Sequence, residues 1–438
     1  MSKVLVLGLS KSGIAAAKFL KKHGYDVYLT ESKNVEADPE LEKLGIHIET
    51  GGHSLKFVEG SEFAVTSPGI PPYSIIIELL RLKNIPVISE LELAYRMSDT
   101  PFVAITGTNG KTTTTALTAH IFEKKFKAKA CGNIGQPPCD LADDKLDYYV
   151  CEMSSYQIAM SPTLTPFISV WTNFTPDHID WHQGIENYFA AKAKIFKAPQ
   201  APKYSVLNAC DERLKDFPAE GTVFYFGERK GANSCYVKNG EFIYEKEGVV
   251  EFTMPVEDCP LVGEHNYQNV QCAIICAKLA GIDNQTIKEA IKEFKSPAHR
   301  LEFVGEKGGT SFYNDSKATN PEAAIVAIKS FNNKDVVLIA GGRDKNTSLK
   351  EFCDEVKKHI KTVILIGEAA DRFEKNLQNG GFTNILRAES LQSAIDNGIE
   401  LKPDVVLLSP ACASFDMFKS YEERGDVFKD YVLSKIGK

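Results

Sequence analysis

The segment Ile105–Thr113, with the sequence ITGTNGKTT, has the residue types of a phosphate-binding loop. It follows an apolar strand pattern and precedes the helix-compatible run Thr114–Phe122, which is the context that such a loop requires. Backbone N–H groups of the loop would bind phosphate oxygens at the positive end of the following helix. Lys111 would reach the β- and γ-phosphates, and the Thr112 hydroxyl would ligate Mg²⁺. The pattern therefore predicts a site for a nucleoside triphosphate and Mg²⁺.

One position of this loop departs from the usual pattern. Ile105 stands where a glycine is expected, five positions before Gly110, so that the remaining pattern is Gly-x-x-Gly-Lys-Thr. A glycine-rich turn that joins a strand to a helix without binding phosphate would show the same residues. The flanking strand and helix favour phosphate binding over such a turn.

Two further segments offer ligands for a metal ion. Glu152 ends the apolar strand pattern 148–152, and His178 lies between two acidic residues after the strand pattern that begins at Ile168. Because ligands of parallel sheets bind at the carboxyl ends of the strands, both segments are predicted at one edge of the sheet. From the residues alone, His178 is either a metal ligand or a hydrogen-bonded loop histidine. Lys192 and Lys194 follow on a predicted helix, where lysines ordinarily face solvent.

Short apolar runs alternate with helical patterns along the whole chain, which is typical of α/β domains with parallel sheets. We predict three such domains in series. They are a Rossmann-like N-terminal domain (1–95), a central P-loop ATPase-like domain (96–296) and a Rossmann-like C-terminal domain (297–438). Residues 222–256 are rich in β-forming residues, glycine and charge, which indicates a small antiparallel addition to the central domain. The break at 295–300 is the predicted second boundary.

The turn Gly8–Gly13 follows the first strand pattern and opens a helix, as in nicotinamide-binding domains. Ser10 replaces the middle glycine, at the point where a pyrophosphate would come closest to the backbone. Glu31, after the second strand, would still suit a ribose hydroxyl. The residues of this domain therefore leave dinucleotide binding open.

The composition excludes several other classes of protein. The chain has 438 residues, with 51 basic and 58 acidic side chains, so a broad basic surface for nucleic acid is not expected. Ten cysteines form no Cys-x-x-Cys pair, and Cys272 and Cys276 are interpreted as small buried hydrophobic residues. No signal peptide and no apolar run long enough for a bilayer is seen, which predicts a cytoplasmic protein without membrane insertion.

Seven motifs in this order resemble the Mur ligases, and they span nearly the whole chain. They are Thr106–Thr112, Glu152–Ser155, Asn173–His178, Ala190–Lys192, Gly263–Asn266, His299-Arg300 and Asp315–Asn320. The resemblance implies an ATP-dependent ligase that joins a carboxylate to an amine through an acyl-phosphate. The ATP contacts that it implies are Gly107, Thr108, Asn109, Gly110, Lys111, Thr112, Thr113, Asn266, Asn269, Arg300 and Asp315.

The resemblance also implies the metal and catalytic residues. Thr112 and Glu152 would serve one Mg²⁺, and His178 with a carbamylated Lys192 would serve a second. Lys194 is the alternative carbamylated lysine, because the spacing from His178 to Lys192 differs from that expected in the family. Asn133 would act near the γ-phosphate, and with Lys111, His178 and Lys192 it completes the expected catalytic set.

Within the family, Ser409–Asp416 and Tyr421–Gly425 are similar to the members that add D-glutamate to UDP-N-acetylmuramoyl-L-alanine during peptidoglycan precursor synthesis. The resemblance implies that Ser10, Lys11, Ser12, Glu31, Ser67 and Gly69 hold the UDP substrate. It implies that Lys317, Thr319, Lys345, Ser414, Phe415 and Tyr421 surround D-glutamate. The expected protein is a monomer that acts on these small molecules and on no nucleic acid.

Three alternatives share part of this sequence pattern. A folylpolyglutamate synthase would share the ATP loop and the chemistry, but it would not be expected to have this N-terminal domain. An NAD-dependent oxidoreductase would use the first domain, and a regulatory nucleotide switch would have no second substrate. Because an acyl-phosphate hydrolyses readily, we also expect the site to close before the acyl-phosphate forms, by a swing of the C-terminal domain about residues 295–300. Small-angle scattering with and without ligands would test this movement.

Overall fold

Alternate side chains of the first strand, β1 (Lys3–Leu7), pack into two separate cores, one on each face of its sheet. Val4 and Val6 point into one core, and Leu5 and Leu7 point into the other. Such continuous apolar strands form because helices cover both faces of a parallel sheet. The computed structural model describes residues 1–344 and 346–437 and repeats this arrangement three times along the chain.

The first sheet has five parallel strands in the order β3-β2-β1-β4-β5. Its other strands are β2 (Asp26–Glu31), β3 (His47–Thr50), β4 (Ala64–Thr66) and β5 (Val87–Ser89). The helices are α1 (Lys11–Lys22), α2 (Pro39–Lys43), α3 (Leu55–Val58), α4 (Ile75–Leu82) and α5 (Glu90–Arg96). The Ser10 hydroxyl caps α1 by accepting the Gly13 N–H at 3.3 Å, so the glycine-containing turn is held at the carboxyl end of β1.

The central sheet has nine strands in the order β14-β13-β12-β11-β10-β9-β6-β8-β7. They are β6 (Phe102–Thr106), β7 (Ala128–Gly132), β8 (Tyr148–Glu152), β9 (Ile168–Trp171), β10 (Tyr204–Asn208), β11 (Thr222–Gly227), β12 (Ser234–Lys238), β13 (Glu241–Lys246) and β14 (Val249–Pro255). The helices are α6 (Lys111–Glu123), α7 (Pro138–Leu141), α8 (Ser155–Ala159), α9 (Ile179–His182), α10 (Ile185–Ala193), α11 (Glu264–Leu279) and α12 (Asn284–Glu293), with 3₁₀ turns at Lys194–Phe196 and Val256–Asp258. Because β6, β8 and β9 are parallel neighbours, their carboxyl ends meet at one edge of the sheet.

The third sheet has the order β15-β16-β20-β17-β18-β19, and only the β15–β16 pair is antiparallel among its described strands. The strands are β15 (Glu302–Lys307), β16 (Thr310–Asn314), β17 (Val336–Gly341), β18 (Thr362–Ile366), β19 (Ile385–Arg387) and β20 (Val405–Leu408). The helices are α13 (Pro321–Ile328), α14 (Lys350–His359), α15 (Ala370–Asn379), α16 (Leu391–Glu400) and α17 (Tyr421–Ile436), with a 3₁₀ turn at Lys329–Phe331.

The predicted series of α/β sheets is confirmed. The antiparallel addition at 222–256 is confirmed for β12 to β14, but β11 pairs in parallel with both β10 and β12, so the addition continues the central sheet. Sequence patterns missed β12, because only Ser234, Cys235 and Tyr236 of this five-residue strand are buried and the run is weakly apolar. Cys272 and Cys276 are fully buried, as expected.

By internal contacts the chain divides into two compact units. One contains 1–258 and 268–292, and therefore both the first and the central sheet; the other contains 259–267 and 293–438. Within 1–344 and 346–437, none of the helices combines the length and the apolar character that crossing a membrane requires.

Candidate functional site

The phosphate loop joins β6 to α6, and two of its residues must be glycine. At Gly107, with φ of +146°, a Cβ atom would lie 1.9 Å from the Thr172 hydroxyl oxygen. At Gly110, with φ of +82°, it would lie 2.5 Å from the side-chain oxygen of Asn269. Ile105 is fully buried inside β6, so the strand continues where the usual loop has its first glycine and the turn begins at Gly107. This explains the sequence departure and leaves a short concave loop at the start of α6.

Lys111 lies over this loop. Its ammonium donates hydrogen bonds to the carbonyl oxygens of Gly107 at 2.9 Å and Thr108 at 2.8 Å. Phosphate oxygens at the loop would compete for the same ammonium, which is also at the positive end of the α6 dipole. Asn269 lies beside the loop as well, because its side-chain oxygen accepts the Thr114 hydroxyl at 3.0 Å.

Glu152 ends β8 in a buried position, with an exposed fraction of only 2%. One carboxylate oxygen accepts a hydrogen bond from the Asn133 side-chain amide at 2.7 Å, and the Asn133 N–H donates to the Glu152 carbonyl at 2.9 Å. The other carboxylate oxygen, Oε2, is buried and has no hydrogen-bond partner within residues 1–344 and 346–437. An unsatisfied buried carboxylate oxygen is costly, so this position suits a cation such as Mg²⁺.

Lys192 has an exposed fraction of only 1%, and its side chain points at the phosphate loop. Its amine donates to the Gly107 carbonyl at 2.8 Å and to the Thr106 hydroxyl at 3.3 Å. Burial, followed by the positive charge of Lys111, lowers the pKa of Lys192 well below its usual value, although Asp177 and Glu152 oppose the shift. This lowered pKa favours the neutral form of the amine, which is a nucleophile, over the cation.

Lys194 points elsewhere. Its ammonium donates to the Ala159 carbonyl at 3.0 Å, at the end of α8. Burial lowers the pKa of Lys194 as well, but less than that of Lys192. The fold therefore brings Lys192, and not Lys194, to the loop.

His178 adopts the left-handed backbone conformation, with φ of +51°, at the start of α9. Its Nε2 lies 3.4 Å from Asp177 Oδ2, and nearly half of its side chain is exposed. Burial lowers the pKa of His178; Asp177 raises it, and the charges of Lys111 and Lys192 lower it further. The lowered pKa favours the neutral imidazole, the form that can ligate a metal, and the charges of Lys111 and Lys192 contribute to the shift.

In 1–344 and 346–437, no group of three or more His, Cys, Asp or Glu side chains could hold a metal ion alone. Mg²⁺ commonly takes only one or two carboxylates from a protein and completes its shell with waters and substrate phosphates. The buried carboxylate of Glu152 beside the phosphate loop fits that mode of binding.

We expect Glu152→Gln to raise the Mg²⁺ concentration needed for half-maximal turnover by about 10- to 100-fold, because the orphaned anionic oxygen becomes a neutral amide. The measurement is a Mg²⁺ titration of ADP release. Glu123→Gln is the control, since Glu123 ends α6 and its carboxylate forms an ion pair with Lys129 at 3.1 Å. An unchanged Mg²⁺ requirement in Glu152→Gln would remove Glu152 from the metal site.

The first sheet carries a cleft of about 600 Å³ at the carboxyl ends of its strands. Four of the six predicted UDP-substrate residues line it, namely Ser10, Glu31, Ser67 and Gly69. Ser10 and Ser67 hydroxyls share a hydrogen bond of 2.7 Å, and Glu31 accepts the Leu9 N–H at 3.0 Å. Lys11 and Ser12 do not line this cleft. The Lys11 ammonium instead donates to the Gly135 carbonyl at 2.5 Å, in the loop that carries Asn133.

The predicted D-glutamate residues lie on loops at the carboxyl ends of β16 and β20 and at the start of α17. Ser414 is buried, Phe415 is two-thirds exposed, and Thr319 is half-buried. The Lys317 ammonium lies 5.5 Å from the centre of the Tyr421 ring. Lys345 lies outside the described residues.

Of the remaining predicted nucleotide contacts, Asn266, Arg300 and Asp315 belong to the second compact unit. The Asn266 amide donates to the Val262 carbonyl at 2.8 Å. Asp315 is buried, and its carboxylate accepts the Ser409 hydroxyl at 2.8 Å and the Leu301 N–H at 3.2 Å.

We expect Asp315 to make stability fall as pH rises from about 4 to 7. Burial, which outweighs the bonds from Ser409 and Leu301, raises its pKa to about 7. The folded protein then holds a proton that the unfolded chain has already lost above its usual pKa near 4, which opposes folding by up to about 4 kcal/mol above pH 7. In calorimetric measurements of stability against pH, Asp315→Asn should remove this fall between about pH 4 and 7. The control, Asp430→Asn, changes an exposed carboxylate and should keep it. A profile of Asp315→Asn that equals that of the wild-type protein would show that Asp315 does not titrate in this range.

Three residues that organise the site had no predicted role, although two of them, Asn173 and Arg424, lie in the motifs named above. Tyr188 is buried one helical turn before Lys192, with its hydroxyl 3.2 Å from that of Thr108. The Asn173 side-chain oxygen accepts the N–H of Asn109, in the phosphate loop, at 2.8 Å. Arg424 is buried, and its guanidinium donates to the Ser316 hydroxyl at 2.9 Å and to the Cys412 carbonyl at 3.1 Å, which joins the two loops of the third sheet.

The i, i+4 spacing of Tyr188 and Lys192 was a usable signal, because such residues share one helix face. Burial of Arg424 lowers its pKa only to about 10, so it stays cationic. Arg424 lies within the motif Tyr421–Gly425, but the motif assigned it no role of its own.

A short phosphate loop, a buried carboxylate and a buried amine at one sheet edge define a nucleotide-dependent enzyme of the α/β class. Three family models match this chain: "Mur ligase MurD-like, N-terminal domain" at 2–89, "Mur ligase middle domain" at 105–277 and "Mur ligase, glutamate ligase domain" at 299–412. The chain belongs to the Mur ligase family, which confirms the resemblance.

Curated relatives match over nearly the whole chain. A UDP-N-acetylmuramoylalanine–D-glutamate ligase of Acidobacterium capsulatum is 40% identical, over 99% of this chain and 97% of its own length. One of Caldicellulosiruptor saccharolyticus is 41% identical, over 98% of each chain.

Solved structures share the fold at much lower sequence identity. The UDP-N-acetylmuramate-alanine ligase of Thermotoga maritima has a TM-score of 0.62 at 19% identity, over 99% of this chain and 100% of its own. The Mycobacterium tuberculosis folylpolyglutamate synthase has a TM-score of 0.55 at 14% identity, over 82% of this chain and 94% of its own. These likenesses concern the fold alone.

Proposed function

We propose that this chain is an ATP-dependent ligase that adds D-glutamate to UDP-N-acetylmuramoyl-L-alanine in peptidoglycan precursor synthesis. The observation that carries the ligase chemistry is the position of three side chains around the phosphate loop: Lys111 at the start of α6, Glu152 at the carboxyl end of β8, and Lys192 on α10. The choice of D-glutamate is supported by relatives of that name at about 40% identity over nearly the full length. Of the alternatives, neither the oxidoreductase nor the nucleotide switch fits these relatives.

The first step joins two anions, the acceptor carboxylate and the γ-phosphate of ATP. Lys111 cancels part of this charge from the loop, and the N-terminus of α6 adds a positive dipole. Mg²⁺ bound at Glu152 would supply further charge neutralisation. Gly107–Thr113 hold the phosphates, and Asn133 positions Glu152 through the bond between their side chains. Attack forms the bond from the acyl oxygen to phosphorus, breaks the bond to ADP and leaves an acyl-phosphate.

In the second step the D-glutamate amine, after losing a proton to solvent, attacks the acyl carbon, and the nitrogen loses a second proton to solvent as the amide forms. The tetrahedral oxyanion that results needs positive charge, and inorganic phosphate then leaves with the electron pair of the carbon–oxygen bond. Lys317, Thr319, Lys345, Ser414, Phe415 and Tyr421 are the proposed D-glutamate residues. Their cations and hydroxyls suit a substrate with two carboxylates.

We further propose that Lys192 is carbamylated. Its neutral amine would attack CO₂ through the nitrogen lone pair and release a proton, which converts the lysine into an anionic oxygen ligand. That ligand and His178 would hold a second Mg²⁺, while Thr112 and Glu152 would hold the first. The lowered pKa of Lys192 and its position at the loop support this proposal over Lys194.

The cleft on the first sheet is the proposed site of the UDP moiety, with Ser10, Ser67 and Gly69 on its wall. Asn266, Asn269, Arg300 and Asp315 remain proposed nucleotide contacts. We retain three domains at 1–95, 96–296 and 297–438, a monomer, and a cytoplasmic location as proposals.

ADP release with UDP-N-acetylmuramoyl-L-alanine, measured while the amino acid is varied, tests the function. We expect release with D-glutamate and none with L-glutamate or without an amino acid. The matched control replaces the UDP substrate by UDP-N-acetylglucosamine, which has no carboxylate to activate. Release that ignores the amino acid, or that follows a folate substrate, would contradict the proposal.

A further inference from the structure

The segment that follows β9 braces the phosphate loop from outside. The Thr172 hydroxyl donates to the Asn109 carbonyl at 2.6 Å, and the Asn173 carbonyl accepts the Thr108 N–H at 3.1 Å. The Thr175 N–H donates to the Thr108 hydroxyl at 3.0 Å. These contacts hold a turn that, without them, would be a short irregular connection from β6 to α6.

The side chain of Asn173 forms two hydrogen bonds to the backbone of the phosphate loop. Its amide oxygen accepts the Asn109 N–H at 2.8 Å, and its amide nitrogen donates to the Asn109 carbonyl at 3.0 Å. Both backbone polar groups of Asn109 are thereby paired with one side chain. We call these two bonds, together with the bond between Thr108 N–H and the Asn173 carbonyl, the Asn173 clamp.

The clamp relates to the position where the sequence departs from the usual loop. Because Ile105 and Thr106 belong to β6, the turn before α6 is short and consists of Gly107–Gly110. The Asn173 clamp supplies this order from a neighbouring segment. The same segment continues to His178, five residues later, so the clamp also joins the phosphate loop to a proposed metal ligand.

We propose that Asn173 is a positioning residue for ATP and Mg²⁺, which acts through Asn109 and not by touching the nucleotide. It holds the loop in the conformation that receives the phosphates and keeps the His178 segment attached to that loop. This inference rests on the proposed use of the loop for ATP. It adds a function for a residue that no expected catalytic or binding set contained.

Two variants distinguish the loss of the clamp's hydrogen bonds from a change in side-chain volume. Asn173→Ala removes both side-chain bonds. Asn173→Asp keeps the volume and the acceptor for the Asn109 N–H, but it places a carboxylate oxygen against the Asn109 carbonyl, where a donor was. If the alanine variant does not fold, the isosteric aspartate variant carries the test.

Asn233→Ala is the matched control. The Asn233 side chain also pairs with backbone groups, accepting the Glu247 N–H at 2.9 Å and donating to the Val223 carbonyl at 3.4 Å. It lies among the edge strands of the same sheet, away from the phosphate loop, so it reports the general effect of losing such bonds.

We expect the clamp variants to raise the KM for ATP and the Kd for Mg²⁺-ADP by about tenfold or more, because the loop must be ordered at binding. The Mg²⁺ requirement should rise as well. The KM for the UDP substrate and the thermal midpoint without nucleotide should match those of Asn233→Ala. Unchanged ADP affinity in both Asn173 variants would overturn the proposal. It would also be overturned if Asn233→Ala lost as much ADP affinity and as much thermal stability as the Asn173 variants.

Binding of Mg²⁺-ADP needs no acceptor substrate, so the clamp is tested separately from the ligase assignment. Wild-type protein that binds ADP but shows no turnover dependent on D-glutamate would contradict the proposed function alone. Wild-type protein that binds no ADP would overturn both.

Discussion

Lys192→Ala should lower kcat by about a thousandfold or more, the largest effect expected of a single substitution in this site. The variant removes the amine that lies 2.8 Å from the Gly107 carbonyl and, with it, the proposed anionic ligand. It also leaves a buried space next to the phosphate loop. A short carboxylic acid such as formate should enter this space and restore part of the activity, because it supplies a carboxylate where the carbamate would be.

Two variants on the same helix region make this prediction specific. Lys192→Arg retains a cation but cannot be carbamylated, and it leaves no space, so it should be inactive and should not respond to formate. Lys194→Ala should remain active, since Lys194 donates to Ala159 and not to the loop. Isotopically labelled bicarbonate gives a second readout, because its carbon should appear on Lys192 in wild-type protein. Full activity of Lys192→Ala would remove this residue from the mechanism.

Lys111→Ala is expected to lower kcat/KM for ATP by about a thousandfold, because attack by a carboxylate on the γ-phosphate gathers negative charge at this loop. In the structure the Lys111 ammonium is held by the Gly107 and Thr108 carbonyls, so it is placed over the loop before nucleotide arrives. Lys111→Arg should recover only part of the rate, since a planar guanidinium does not replace a compact ammonium in so short a loop.

Steady-state rates of ADP release with varied ATP measure this effect. Lys124→Ala is the matched control, because Lys124 lies at the exposed carboxyl end of the same helix, α6. It should retain normal turnover. Near-normal kcat/KM in Lys111→Ala would contradict the proposed use of the loop for ATP.

The amino-acid sequence was sufficient for the features that depend on neighbours along the chain. The apolar runs of β6 and β8 are buried on both faces of a sheet, and this burial is visible as uninterrupted hydrophobic residues. Gly107 and Gly110 signalled a turn that tolerates no Cβ atom, and the structure gives the clashes that explain them. The position of Glu152 at a strand end followed from the same local pattern.

Contacts between distant segments could not be predicted from the sequence. The free energy of such a contact depends on how deeply the groups are buried and on which groups meet. Lys192 and Lys194 are equivalent by helix propensity, yet the fold buries the first at the loop and turns the second toward Ala159. Asn173 and Arg424 lie in motifs that the sequence offered, but only the packing of loops shows which backbone groups their side chains satisfy. Burial likewise sets the raised pKa of Asp315 and the lowered pKa of Lys192, since desolvation disfavours the charged form wherever the chain comes together.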